Sequence, residues 1–217
     1  MEKLKFLMLL THSTCSWFDL YMNFLVCPYF MYNAASGYMM GPLVLLGVPS
    51  WFIAYTGLLS FLFVCPAVVL FFEDRYNRLL RRDGDTRSRF YKRVIHSAIN
   101  YLATILTITA LFYDVPTIDF AKKAIMEEFP CFPTSLMEHP SFFMITTDRT
   151  NLVTCMMTYW VFVLSQIIFF FFKVAAYLRS IKAQSQQTLK MQRKLFKALC
   201  VQALVPVMAI ALPCLYL

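Results

Sequence analysis

The chain has 217 residues, of which 59% are hydrophobic, 17% aromatic and only 15% charged, with a formal net charge of +8. Soluble domains carry about 25% charged residues, so this composition and a positive mean hydropathy exclude an ordinary soluble domain and point to the membrane class. The basic residues lie between apolar runs, which makes membrane orientation, not nucleic-acid binding, the meaning of the charge.

About twenty residues cross a hydrocarbon core of roughly 30 Å, and five apolar runs reach that length. The first, residues 6–31, follows Lys3 and Lys5 and is interrupted by His12 and Asp19. Its leading FLMLL gives way to Thr11, His12 and Ser13, and the apolar pattern then resumes for many residues. A signal peptide is shorter, so a retained span is expected. Residues 32–42, with Gly37, Gly41 and Pro42, predict a short turn. The second run, 43–72, holds no charged residue and stops abruptly at Glu73, Asp74, Arg75 and Tyr76. Residues 73–93 carry eight Lys/Arg against four Asp/Glu, with Gly84 marking a turn.

The third run, 94–113, contains no Asp, Glu, Lys or Arg. Residues 114–150 are polar, with Pro116, Pro130, Pro133 and Pro140, and hold six acids and two lysines up to Asp148. The fourth run, 151–172, closes on four consecutive phenylalanines, and residues 173–197 carry seven Lys/Arg and no acid. The fifth run, 198–217, contains Pro206 and Pro213, which neighbouring helices accommodate with a kink. The pattern predicts an all-α polytopic bundle of five transmembrane helices in one membrane domain. Both strongly basic loops, 73–93 and 173–197, and the lysines before the first span fall on one side. The positive-inside rule makes that side cytoplasmic, with the N-terminus inside and loops 32–42 and 114–150 outside.

Four groups of residues stand out for chemistry. At the inner mouth of the second span, Asp74 beside Arg75, with Tyr76 next, is a candidate switch, since an acid can hold an arginine locally until a bundle moves. A polar helix end at the headgroup level explains the same residues. Lys190, Arg193, Lys194 and Lys197 recur at i, i+3, i+4 and i+7, which gathers four cations on one helix face. That face suits an acidic partner or anionic lipid, or serves as an anchor alone. Asp19 is the sole acid inside an expected span, with Asn23 one turn later; either it meets a partner in the bundle interior, or it is a hydrogen-bonded structural acid or the span is shifted in register so that it lies less deep. Cys27 and Cys131, both toward the outer side, are a candidate disulfide if their Cα atoms approach within about 7 Å.

The seven cysteines form no CxxC, the three histidines fall in different segments, and no hydrolase, P-loop or dinucleotide motif is present. No metal, cofactor or enzymatic activity is expected.

Met39-Met40-Gly41-Pro42, Leu46-Gly47-Val48-Pro49, Tyr55 and Phe72-Glu73-Asp74-Arg75-Tyr76-Asn77-Arg78-Leu79 resemble the nematode serpentine chemoreceptors of class H, with class I next closest. Leu9, His12, Trp17, Asp19-Leu20, Phe24-Leu25 and Pro28-Tyr29 resemble that family's second helix. Gln192 to Phe196, Ala198-Leu199, Gln202 and Val205-Pro206 resemble the start of its sixth. The resemblance covers most of the chain in order and implies helices two to six of a seven-helix, G-protein-coupled receptor in the plasma membrane of chemosensory neurons and their cilia. It implies olfactory detection of a small ligand, with a heterotrimeric G protein read through Asp74, Arg75, Tyr76 and the basic inner loops. On this reading the first and seventh helices are missing. A non-signalling fragment or partner of full-length receptors is then the alternative, with a small transporter or channel subunit built around Asp19 behind it.

Overall fold

A computed structural model describes residues 2–31, 34–80, 87–180, 194, 196–198 and 201. The expected fifth span therefore lies outside the described residues except for Ala198 and Val201. Lys190 and Arg193 are outside them as well, while Lys194 and Lys197 are helical and exposed.

The first run folds as α1 (Glu2–Leu20), which widens into a π-helical turn over Tyr21–Val26. Cys27 ends the turn in the left-handed region at φ 43°, its N–H donating to the Met22 carbonyl at 3.0 Å. The chain then forms two short strands, β1 (Pro28–Met31), where the first span was expected to continue, and β2 (Ser36–Met39), where a simple turn was expected. A third strand, β3 (Phe143–Met144), arrives from the long polar segment and pairs antiparallel with β2. Pro28 opens β1, a position where its missing N–H costs no ladder bond inside the strand. Ser141, 1% exposed, fastens the small sheet: the Met39 N–H donates to its Oγ at 3.0 Å, and its hydroxyl donates to the Met39 carbonyl at 2.5 Å.

Gly41 sits where the chain leaves the sheet, its N–H on the Val26 carbonyl at 2.8 Å. A Cβ here would strike the Leu25 carbonyl and the Val26 carbonyl carbon, both backbone atoms with no freedom to turn away. Gly41→Ala is expected to cost about 1–3 kcal/mol, the usual range for overpacking, read as a lower midpoint of thermal unfolding in detergent. An unchanged midpoint would mean that the strand shifts freely.

The second run breaks twice. A single turn, α2 (Pro42–Leu45), ends at Gly47, whose φ of 76° suits glycine. Pro49 then caps α3 (Ser50–Leu62), and Phe63 separates it from α4 (Val64–Leu80). Pro66 explains the second break, because a proline cannot bond the carbonyl four residues back, here that of Leu62. The Tyr159 hydroxyl donates to that freed carbonyl at 3.3 Å. α4 runs on through the Glu73–Leu80 stretch that composition marked as loop, since its first half is sealed against neighbours and the ladder simply continues.

The remaining elements are α5 (Arg87–Leu111), α6 (Ile118–Glu128), α7 (Thr134–Met137) and α8 (Arg149–Ser180). The Asp148 carboxylate caps α8, accepting from the Thr150 N–H at 2.9 Å and the Asn151 N–H at 3.2 Å. α6 is held to the start of α8 by Arg149, which pairs with Glu128 at 3.0 Å and lies over the Phe129 ring.

Among the described residues, three helices are long and apolar enough to cross a membrane: Ser50–Leu80, Arg87–Leu111 and Arg149–Ser180. The main core joins α3 and α4 to α5 and α8 through Leu62, Cys65, Val69, Phe72, Ile108, Tyr159 and Val163. Residues of α5 and α8 that face away from it, such as Ile95, Leu102, Val161 and Phe172, are exposed, as a lipid-facing surface requires. Two ends of the bundle can be told apart: one carries the sheet, the other carries Glu73, Asp74 and the basic segments.

Candidate functional site

At the basic end, α4 turns two acids inward. Glu73 is 6% exposed and Asp74 1% exposed, burial that carboxylates tolerate only when paired. Asp74 accepts from Arg78 Nε at 2.5 Å, one turn along the same helix, and from Arg93 Nη2 on α5 at 2.9 Å. Glu73 accepts from Asn77 at 3.3 Å and from His96 Nδ1 at 3.1 Å, with Arg93 Nε 3.7 Å away.

From His96 the network crosses to α8. Nε2 of the ring lies 2.8 Å from Gln166 Oε1. Asn100 and Gln166 exchange two amide hydrogen bonds, at 3.1 and 3.0 Å, and Asn100 Nδ2 also donates to the His96 carbonyl at 2.9 Å. Those bonds fix which atom of each amide points where, so Gln166 presents an oxygen to the imidazole. Nδ1 of the ring thus faces the Glu73 carboxylate, and Nε2 faces the Gln166 oxygen with the Asn100 amide 3.4 Å away.

One turn further along α5, Thr104 is fully buried and bonds the Tyr159 hydroxyl at 2.9 Å. Arg93, His96, Asn100 and Thr104 thus form a polar stripe on one face of α5, spaced at i, i+3, i+7 and i+11. The stripe ties α5 to α4 at one end and to α8 along its length. No sequence motif announces it. Its signal was periodic, with His96, Asn100 and Thr104 recurring every four residues in a run free of Asp, Glu, Lys and Arg, and it becomes meaningful only once Gln166 and Glu73 are known to face it.

The expected local pair between Asp74 and Arg75 does not form. Neighbours in a helix project about 100° apart, whereas residues four apart stack, so Arg78 takes the acid. Arg75 instead lies with its guanidinium carbon 5.4 Å from the Phe71 ring centre. Its Nε and Nη2 are shielded from solvent and have no hydrogen-bond partner among the described residues. Tyr76 packs on Phe169 and Phe170 of α8.

The other sequence candidates lie elsewhere. Asp19 is exposed, not turned into the bundle, and Asn23 donates to its backbone carbonyl at 3.0 Å, not to the carboxylate. Cys27 and Cys131 are separate free thiols, the first bonded to the Asn23 carbonyl at 3.2 Å and the second exposed. The left-handed turn at Cys27 directs its sulfur back along α1, away from the long loop.

The profile of the serpentine type 7TM GPCR chemoreceptor Srh family matches residues 1–217. The chain belongs to this Srh family. It is a family of receptors, not enzymes, so the chain is a multi-pass membrane protein of the G-protein-coupled receptor class. No curated protein and no solved structure matches it. In this Srh chain the buried polar cluster joins three helices, α4, α5 and α8.

Proposed function

We propose that this chain is a chemosensory receptor whose basic end faces the cytoplasm and whose polar cluster holds the resting packing of α4, α5 and α8. The reading keeps five spans with a cytoplasmic N-terminus in the plasma membrane, an odour-type small ligand toward the sheet end, and a heterotrimeric G protein at the basic end. The supporting observation is the division of labour within Glu73-Asp74-Arg75. The two acids are bonded inside the bundle, while the Arg75 Nε and Nη2 find no acceptor among the described residues.

A desolvated cation with unmade hydrogen bonds has much to gain from an acceptor brought by a partner. A ligand that favours a second packing would shift the population toward it and change what Arg75 presents. Lys194 and Lys197, exposed on their helix, would add positive charge to the same docking face; Lys190 and Arg193 complete that face in the sequence pattern.

Arg75→Ala is expected to abolish ligand-dependent nucleotide exchange on the G protein, with delivery to the cell surface intact. Surface biotinylation and an exchange assay in the same cells read the two quantities. Unchanged coupling would remove the role assigned to Arg75. Surface delivery of the unaltered chain without coupling to any G protein would favour the non-signalling partner instead.

A further inference from the structure

A groove of about 370 Å³ lies between α1 and α3, lined among others by Trp17, Tyr21, Phe52, Thr56, Leu59 and Ser60. That volume falls at the lower end of small-molecule sites. Ser60 lies within the helix pair Ser50–Leu80 that is long and apolar enough to cross a membrane, so the groove sits at bilayer depth. Trp17 and Phe52, about half exposed, stand at its mouth. It opens beside the π turn that begins at Tyr21, a backbone irregularity frequent at functional sites.

The hydrogen-bond inventory of the lining is nearly closed. The Tyr21 and Thr56 hydroxyls lie 2.5 Å apart and both reach the Ile53 carbonyl, and Thr56 also bonds the Phe52 carbonyl at 2.8 Å. The Thr14 hydroxyl donates to Leu10 at 2.8 Å. Trp17 Nε1 donates to Ser60 Oγ at 3.3 Å, which uses the Ser60 oxygen but leaves the Ser60 hydrogen without an acceptor among the described residues. Every other lining side chain is apolar, and none is charged. A charged ligand would lose its water here with no counter-charge to meet it. A ligand with one acceptor oxygen would recover a hydrogen bond from the Ser60 hydroxyl.

We infer that this groove binds an uncharged, compact, largely apolar molecule bearing a single acceptor oxygen, which receives the Ser60 hydroxyl, and that the molecule reaches it from the bilayer. This deepens the receptor reading by naming the chemical class of ligand and its site, and it rests on that reading only for its meaning as a signal.

The test is calorimetric titration of the full chain in lipid nanodiscs with camphor and with bornane, its hydrocarbon skeleton, against empty nanodiscs. Saturable binding of both is expected, camphor the tighter. Ser60→Ala should weaken camphor roughly threefold to tenfold, the worth of one neutral hydrogen bond, and leave bornane unchanged. Leu59→Trp, which fills the groove, should remove both. Absence of saturable heat from camphor, or camphor binding that survives Leu59→Trp, would overturn the site. Equal loss of both compounds in Ser60→Ala would overturn the assigned hydrogen bond. No G protein is present in this measurement, so failed coupling by Arg75 leaves its result untouched, and failed binding here leaves the Arg75 result standing.

Discussion

Asp74→Ala is expected to destabilise the receptor by about 3 kcal/mol, the largest loss among the substitutions considered. The carboxylate is 1% exposed and holds two guanidinium groups, from Arg78 at 2.5 Å and Arg93 at 2.9 Å. Removing one partner of a buried ion pair typically costs about 3–5 kcal/mol, because the remaining charge stays desolvated and unpaired. The side chains of Arg78 and Arg93 are each about one-third exposed, and water reaching them moves the expectation to the low end of that range. Arg93 also keeps Glu73 at 3.7 Å. Thermal unfolding of the purified chain in detergent measures the effect. Arg78→Ala, which removes only the pair within α4 and leaves Asp74 its bond to Arg93, should cost less than Asp74→Ala. Equal losses for the two variants would mean that Arg93 contributes nothing across the interface.

His96→Leu should raise signalling in the absence of ligand. The imidazole joins three helices, with Nδ1 on Glu73 of α4 and Nε2 on Gln166 of α8 while the residue itself sits on α5. Leucine fills the volume and removes both bonds, leaving one acceptor on each neighbour without this donor. Glu73 keeps Asn77 and Arg93, and Gln166 keeps Asn100, so neither neighbour is stripped bare. A net loss of about 2 kcal/mol from the resting packing follows from two lost bonds, one of them to a carboxylate. If the alternative packing does not contain these bonds, that loss moves the equilibrium toward it roughly thirtyfold.

Basal nucleotide exchange in membranes carrying matched amounts of receptor reads the shift; a basal rate equal to that of the unaltered chain would sink the latch.

Much of the architecture was legible because membrane helices obey a coarse rule: every backbone group must be satisfied within its own segment, so length and hydropathy suffice to find them. Residues 43–72, 94–113 and 151–172 were marked on that basis, and the described helices long and apolar enough to span are Ser50–Leu80, Arg87–Leu111 and Arg149–Ser180. The Gly47-Val48-Pro49 signal was also local, since a left-handed glycine and a capping proline act through the backbone alone. The family resemblance rested on such segments in their order along the chain, and the match over residues 1–217 agrees with it.

What tertiary structure decided was pairing. Sequence placed Asp74 beside Arg75, but helical geometry sends their side chains apart and brings in Arg78 from one turn on and Arg93 from another helix. His96 and Asn100 in one run and Gln166 in another were not connected until α5 and α8 packed and let them satisfy one another. Asp19, the residue that composition made most conspicuous, turned out to be exposed, because a lone acid near the end of α1 meets no donor there. The small sheet depended on a third strand more than a hundred residues from the first, and on Ser141 reaching the backbone of Met39. Helices are written in local periodicity, which a sequence displays directly; which polar groups meet between them is set by packing, and only the folded bundle holds that information.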